Sequence, residues 1–469
     1  MSTRQFCREV VHYLSISVVL GLCIRADSSF ADAKVVGYYA SWNAANLPYD
    51  MVEYSNLTHI IVAFGTPNSD GSLSFDSGIP FPQLVIAAHS KGVKLLISLG
   101  GAGSGPSFSA ATKDSTLRAT LIANVMEFIQ KNNYDGVDVD WETPSNATET
   151  AQLTSLVQGI RASFEMANSL LLITMAIPPG DYGGQHFDYQ SLTNYVDWYD
   201  VMCYDFVGSW SAYSGHNSPL YQSNSDPNSA GSDSSAIVYN ISRGIPPSKL
   251  VLGVPFYSVQ FNASGLYQKL INDTTSNPYY QNVVSDLSAG WTYHWDDVSK
   301  VPYLTNDAQT KFITFEDTNS VKLKIEYADR QKLAGIMIWE LSQDLYDSIN
   351  GNGLAFSRQP LLEAINQTAK ELKVVASERS IVSTYKLYDN FPNPFNPTTA
   401  IGYQLPVASY VTLKVYDALG RETMTLVDEF ENPGKHEINF DGRQFSSGVY
   451  FYVLSTEDFF QTKKMLLLK

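Results

Sequence analysis

The chain has 469 residues and a formal net charge of −16, with an isoelectric point near 4.8. That balance argues against a nucleic-acid partner, because phosphate binding needs clustered Lys and Arg. The 44% hydrophobic content supports a sizeable core and the length allows two or three domains. The 29 Tyr and 7 Trp can fill cores or stack on the apolar faces of sugars, so composition alone does not separate these uses.

The first segment, 1–31, reads as a secretory signal. Arg4 and Arg8 give a positive start, Leu14 to Leu22 is apolar but too short to span a bilayer, and Ala31 or Ala33 offers a cleavage point. A cytosolic N-terminal helix is the plainer reading. Cys23 would permit lipidation, but Leu22 precedes it where a small residue is expected. Cys7 and Cys23 lie in or beside this removable segment, so the mature chain keeps Cys203 alone and must fold without an internal disulfide.

Eight apolar strand-like runs follow: Val35–Trp42, Thr58–Phe64, Val93–Leu99, Gly136–Glu142, Leu170–Ile177, Val196–Asp205, Leu250–Tyr257 and Gly335–Glu340. Helical patterns such as Ser115–Asn132 and Glu149–Ala167 separate them. Most runs are apolar on both faces, as in parallel strands buried under helices. The series predicts an α/β fold, a (β/α)8 TIM barrel over 34–372, with a doubly wound open sheet as the alternative. Tyr38, Phe64, Ser98, Glu142, Met175, Tyr204, Asp205, Tyr257 and Trp339 fall at or near strand C-terminal ends. Each alone reads as a core residue. Their convergence on one rim, where barrels build active sites, reverses that reading.

The fourth run, Y-D-G-V-D-V-D-W-E at 134–142, puts Asp138, Asp140 and Glu142 on one face and Val137, Val139 and Trp141 on the other. Like charges so placed raise at least one pKa, a cost met mainly at functional sites. A solvated acidic edge strand fits poorly with apolar residues that want a packed partner. A hard-cation site lacks the Gly-spaced acidic loop. A general acid supported by neighbouring carboxylates fits the strand-end position.

Between the last two runs, residues 258–334 are too many for one barrel helix and read as a small α+β insertion raising one wall of a cleft. Residues 373–385 read as a linker, and 386–469 as an all-β immunoglobulin-like sandwich of short alternating strands. That tail has no Cys, and His436 has no clustered partner, so metal or nucleophile chemistry is not expected there.

The segment 34–372 resembles the family 18 glycoside hydrolases, the chitinase superfamily. The carrying motifs are D-G-V-D-V-D-W-E (135–142), Ser98-Leu-Gly-Gly101, Met202-Cys-Tyr-Asp-Phe206, Gly215-His-Asn-Ser-Pro-Leu-Tyr221, Gly253-Val-Pro-Phe-Tyr257 and Gly335-Ile-Met-Ile-Trp339. The resemblance implies a secreted chitinase cutting β-1,4 bonds by substrate-assisted retaining catalysis, an exception to the two-carboxylate scheme. It implies Glu142 as general acid and then base, Asp140 orienting the acetamido group, Asp138 sharing charge behind it, and Tyr204 donating to the acetamido oxygen. It implies Trp339 as the floor of the subsite, with Tyr38, Phe64, Met202, Asp205, Trp210 and Tyr257 also binding substrate. No cofactor and no metal are expected. Chitin or N-acetylglucosamine oligosaccharides would be the partners of a monomer without a stable membrane span. Ala102 stands where many chitinases have Trp, Ser258-Val259 where Gly-Arg is frequent, and Val207 where His is frequent. An endo-β-N-acetylglucosaminidase of N-glycans or peptidoglycan is the alternative enzyme. A chitin-binding lectin is a third reading, though such proteins typically lose the acid present here as Glu142.

The tail resembles the type IX secretion system sorting domain in N-F-P-N-P-F-N-P-T-T (390–399), Y-D-A-L-G-R (416–421), S-G-V-Y-F-Y (447–452) and the ending K-K-M-L-L-L-K. That implies contact with secretion machinery and an extracellular or cell-surface destination. An ordinary accessory module, carbohydrate-binding included, is the other reading.

Overall fold

The computed structural model describes residues 33–167, 170–286, 290–345, 359–380 and 384–469. The expected signal segment, with Cys7 and Cys23, lies outside the described residues. Strands β1 (Lys34–Ala40), β2 (His59–Pro67), β3 (Lys94–Gly101), β4 (Gly136–Trp141), β5 (Leu172–Ile177), β6 (Trp198–Val201), β7 (Leu250–Pro255) and β8 (Gly335–Trp339) each lie beside the next. β1 pairs in parallel with both β8 and β2, which closes a TIM barrel and removes every edge. The doubly wound alternative is thereby excluded.

Side chains sort by strand parity. Val137, Val139 and Trp141 point outward and pack with Leu121, Val125, Leu153 and Ile160 of the covering helices. Val36, Tyr38, Ile61, Leu96, Trp198, Val251 and Met337 fill the interior. Burial on both faces explains the near-continuous apolar runs. Helices Ser115–Asn132 and Ala147–Met166 start where Asp114 and Asn146 accept N–H groups of the first turn.

Most strand ends shift by one to three residues from the sequence expectation, and three boundaries differ in kind. β1 gives way at Ala40 to a 3₁₀ turn, Ser41–Asn43. β6 ends at Val201, and Met202 to Asp205 lie beyond it, with Asp205 in a left-handed backbone, φ 58°. Where a linker was expected from 373, the helix Pro360–Ser380 continues. Its tail, E-L-K-V-V-A-S-E-R-S, contains neither Pro nor Gly and is rich in helix formers.

After β7 a five-stranded antiparallel sheet forms from Val259–Phe261, Thr275–Ser276, Trp291–Asp296, Val301–Asn306 and Phe312–Thr314. It has its own small core of Val283, Leu304, Ile313 and Phe315. The helix Thr318–Arg330 follows. Its Lys324 is buried, with Nζ 2.9 Å from Asp233, 2.7 Å from Glu316 and 2.7 Å from the Ser218 carbonyl. One cation thus ties this helix to the residues just after the insertion sheet and to the loop that follows β6.

The tail has two antiparallel sheets. One comprises Lys386–Leu387, Thr398–Leu405 and Gly434–Asp441; the other comprises Glu422–Glu431, Ser409–Asp417, Gly448–Ser455 and Phe460–Leu467. They enclose a core that includes Ile401, Leu413, Tyr452 and Met465. The N-F-P-N-P motif is tied down by its amides. Asn390 donates to Thr399 Oγ1 at 2.9 Å, and Asn393 accepts from the Leu466 N–H at 3.0 Å.

Candidate active site

Asp138 and Asp140 project from β4 into the barrel, both buried, and Glu142 stands half-buried just past the strand end. The two aspartates are supplied very differently. Asp138 accepts three hydroxyls: Tyr38 at 2.9 Å, Ser98 at 2.7 Å and Thr174 at 2.6 Å. Asp140 Oδ1 is buried without any hydrogen-bond partner. Burial pushes both carboxyls up, and the three donors pull Asp138 back. For Asp140, burial is reinforced by the charges of Glu142, Asp138 and Asp200, and its pKa lies well above the ordinary value. Of this coupled pair, Asp140 is pushed further up, because it has the neighbouring charges and none of the hydroxyl donors that hold Asp138 down. Glu142 is also raised, first by burial and then by the charge of Asp205.

The loop after β3 clamps the backbone beside Glu142. Ser104 Oγ donates to the Asp140 carbonyl at 3.0 Å and accepts from the Glu142 N–H at 3.1 Å. A side chain at Gly100, φ 119°, would begin 2.0 Å from the Asp140 carbonyl oxygen, so the close approach of β3 to β4 requires glycine there. Tyr204 is buried at the rim, and burial with the charges of Asp140 and Asp205 holds its hydroxyl well above its ordinary pKa, hence protonated. Tyr257 donates to Asp205 at 2.5 Å. Asp205 is open to solvent on its outer side, yet burial of the rest raises it, opposed by the Tyr257 hydroxyl.

Aromatic rings line the opposite side. Tyr38 and Trp339 lie 5.2 Å apart, Phe64 stacks on Trp339 at 5.9 Å and 26°, and Trp42 stacks on Phe64 at 5.8 Å and 25°. Trp42, 54% exposed, extends this wall outward and was not among the sequence candidates. Its only signal was an apolar residue at the end of the first run. Met202 packs against the interior cluster that contains Tyr38 and Tyr204. Trp210, 69% exposed, lies over Gly208 and outside that ring cluster. Ala102 is exposed and brings no ring of its own, while the Phe64 ring lies against the neighbouring Gly101.

Sequence reasoning also missed Asp200, a fourth buried carboxyl inside the barrel, with the Trp198 Nε1–H 3.2 Å from each of its oxygens. It hid within the apolar-looking run W-Y-D-V, where strand alternation was the available signal. Among the described residues, no three His, Cys, Asp or Glu side chains are grouped to hold a metal ion, and Cys203 is free and buried. The arrangement is suited to proton delivery: a half-exposed acid on the rim, a carboxyl of strongly raised pKa behind it, a hydroxyl donor opposite and a stacking wall.

Residues 34–344 match the glycosyl hydrolases of family 18, and residues 389–468 match a secretion system C-terminal sorting domain. Chitinase A1 of Niallia circulans is 28% identical, over 72% of this chain and 61% of its own length. The chain therefore spans less than two thirds of that relative. Chitinase 1 of Aphanocladium album is 25% identical, over 68% of this chain and 82% of its own length. A group IV chitinase of Ostrinia furnacalis, solved in complex with allosamidin, superposes with a TM-score of 0.65 at 27% identity, over 73% of this chain and all of that one.

The Asp138 cradle has a measurable signature. Its pKa in the folded protein lies above the ordinary 3.8, so the folded state binds more protons in that window and this group's contribution to stability falls as pH rises through it. Thr174→Val removes the 2.6 Å donor without changing shape and pushes the carboxyl higher still. The expected loss is about 1–3 kcal/mol at neutral pH and clearly less near pH 4, read by urea denaturation. An equal loss at both pH values would mean that Asp138 does not change its ionisation between them, contrary to a raised carboxyl titrating in that window.

Proposed function

The chain belongs to the glycosyl hydrolases of family 18, and from that premise we propose that it is a secreted chitinase acting by substrate-assisted retaining hydrolysis. The observation that carries the reading is the unequal pair, with Asp138 saturated by three hydroxyl donors while the buried Asp140 has none. A carboxyl that is pushed well up and lacks a protein partner is ready to engage an acetamido group placed beside it. Asp140 would orient that group, and Tyr204 would donate to its carbonyl oxygen as that oxygen attacks the anomeric carbon. Glu142 protonates the departing oxygen and then takes the proton from the incoming water. Its raised pKa keeps it protonated towards neutral pH, as a general acid requires. Trp339 stacks under the reacting sugar, with Tyr38, Met202, Asp205 and Tyr257 around it and Phe64 and Trp42 continuing the wall. Trp210 would meet the chain beyond this cluster. The similarity to chitinases and the wall added by the insertion sheet favour a linear chitin chain over N-glycans or peptidoglycan.

The protein should be incubated with chitin oligomers, an N-glycoprotein and peptidoglycan, and the products identified. Cleavage of the oligomers is expected, and cleavage of either other substrate alone would overturn the chitinase reading. Glu142→Gln keeps shape but carries no transferable proton. It should lower turnover by ~10²–10⁴-fold while retaining oligomer binding. Near-normal turnover in a folded variant would refute the role of Glu142.

Two successive attacks from opposite faces restore the starting configuration. NMR of fresh hydrolysate should therefore show the β anomer first, and a predominance of α product would exclude the substrate-assisted route.

For the tail we propose recognition by type IX secretion machinery and release to the cell surface or medium. Its core is built from residues 387–467 alone, so deletion of 386–469 should leave oligomer hydrolysis by the purified barrel unchanged and stop its appearance outside the native host. A truncated enzyme that still reaches the medium at the full-length level, but adsorbs less to insoluble chitin, would mark the tail as a binding module.

A further inference from the structure

Asp205 holds a left-handed backbone, φ 58°, a region that non-glycine residues populate sparsely, Asp more than most, and specific contacts hold it there. These contacts come from the loop 215–218. Asn217 Oδ1 accepts the Asp205 N–H at 3.0 Å, and the Asn217 carbonyl accepts the Phe206 N–H at 3.2 Å. Asn217 is itself buried, and its own N–H donates to Thr314 Oγ1 at 3.1 Å, on the central, three-residue strand of the insertion sheet. The neighbouring residue, His216, lies 3.0 Å through Nε2 from Asp296, on another strand of that sheet. From the other side Tyr257, two residues before the insertion sheet begins, donates to the Asp205 carboxylate. The chain of contacts therefore runs from the insertion sheet through two loop residues to the backbone of one rim carboxylate.

We propose that the insertion, besides raising a wall, sets the place of the Asp205 carboxylate relative to Glu142, and that Asn217 and Thr314 are positioning residues for the proton transfer. This rests on the reading of Glu142 as the general acid. Carboxylate–carboxylate repulsion falls with distance and with the water that enters a loosened site, so the grip on Asp205 governs how strongly it acts on Glu142. The charged and titratable groups facing this pair are Asp140 from β4, Tyr204 from the segment after β6 and Tyr257 from the end of β7, with Asp200 deeper in the barrel. The His216–Asp296 pair sits on the far side of the loop.

Thr314→Val keeps the shape of a buried side chain and removes the acceptor for Asn217, whereas Thr314→Ser keeps the hydroxyl. The test is the pH profile of kcat and kcat/KM on a chitin oligomer for the full chain and the two variants. In Thr314→Val, kcat should fall by about tenfold, the scale on which small misplacements act. Its alkaline limb should move to lower pH, because Asp205 is a charge that holds Glu142 up. Thr314→Ser should restore both. Asn217→Ala should shift the limb in the same direction, and if it does not fold the Thr314 pair decides. A Thr314→Val protein with a lower melting temperature but an unmoved alkaline limb and unchanged kcat would overturn the inference and leave Thr314 as packing. An unmodified enzyme that cleaves no chitin oligomer would instead overturn the functional reading beneath it.

Discussion

Everything at the mouth of this barrel depends on one electrostatic constraint: strand alternation places two aspartates on the inner face of β4, with a third acid just beyond them. Both aspartates are buried, so their charge must be met by hydrogen bonds or disfavoured by a raised pKa. The molecule does both. Tyr38 from β1, Ser98 from β3 and Thr174 from β5 converge on Asp138, and nothing converges on Asp140. The asymmetry orders a repulsive column: the carboxyl with three donors is held down, the one without is pushed well up, and an acid stands at the rim. β3 serves the column twice: Ser98, paired with Asp138, supplies one donor, and Gly100 lets the strand pass close to the Asp140 carbonyl.

The second organising feature is the way the long interval after β7 is bound to the barrel. Charge and hydrogen bonding concentrate where the insertion returns to the wall. Lys324 bridges Asp233 and Glu316, His216 meets Asp296, and Thr314 receives Asn217. Burying so many polar groups is favourable only when nearly all are satisfied, and a partly made junction would cost more than an apolar one. The junction meets most of that demand but leaves His216 Nδ1 and Asn217 Nδ2 buried without a partner.

Much of this was legible in the chain. Eight strand-like runs and the helices between them were readable because burial on both faces leaves uninterrupted apolar segments, and the carboxylate face of β4 was readable because period-two alternation is short-range. The comparisons then placed the chain in its family, while the individual roles at the site stay proposals that the geometry supports. What was not legible depended on contacts distant in sequence. Thr174 looks like any strand threonine until its hydroxyl is found 36 residues away on Asp138. Asp200 is one polar letter in an apolar run, and Trp42 acquires meaning only when Phe64 and Trp339 stand beside it. The helix through 373–380 was read as linker because it lacks a clear apolar stripe, although its residues favour helix and nothing in it breaks one.

The amide ties of the tail carry a consequence for how the protein is made. The motif that opens the sandwich is closed by its last strand: Asn393 accepts from Leu466, Phe395 donates to the Leu466 carbonyl, and Leu468 donates back to Phe395. Residues 464–468 leave the ribosome some seventy residues after the motif they complete, so the sandwich closes only when synthesis has passed them. A chain that stops early can carry a finished barrel, yet it presents an open-edged tail. Loss of residues 464–468 would therefore spare the barrel while undoing the surface that the N-F-P-N-P segment presents, so the two parts of the chain reach their final form at different moments.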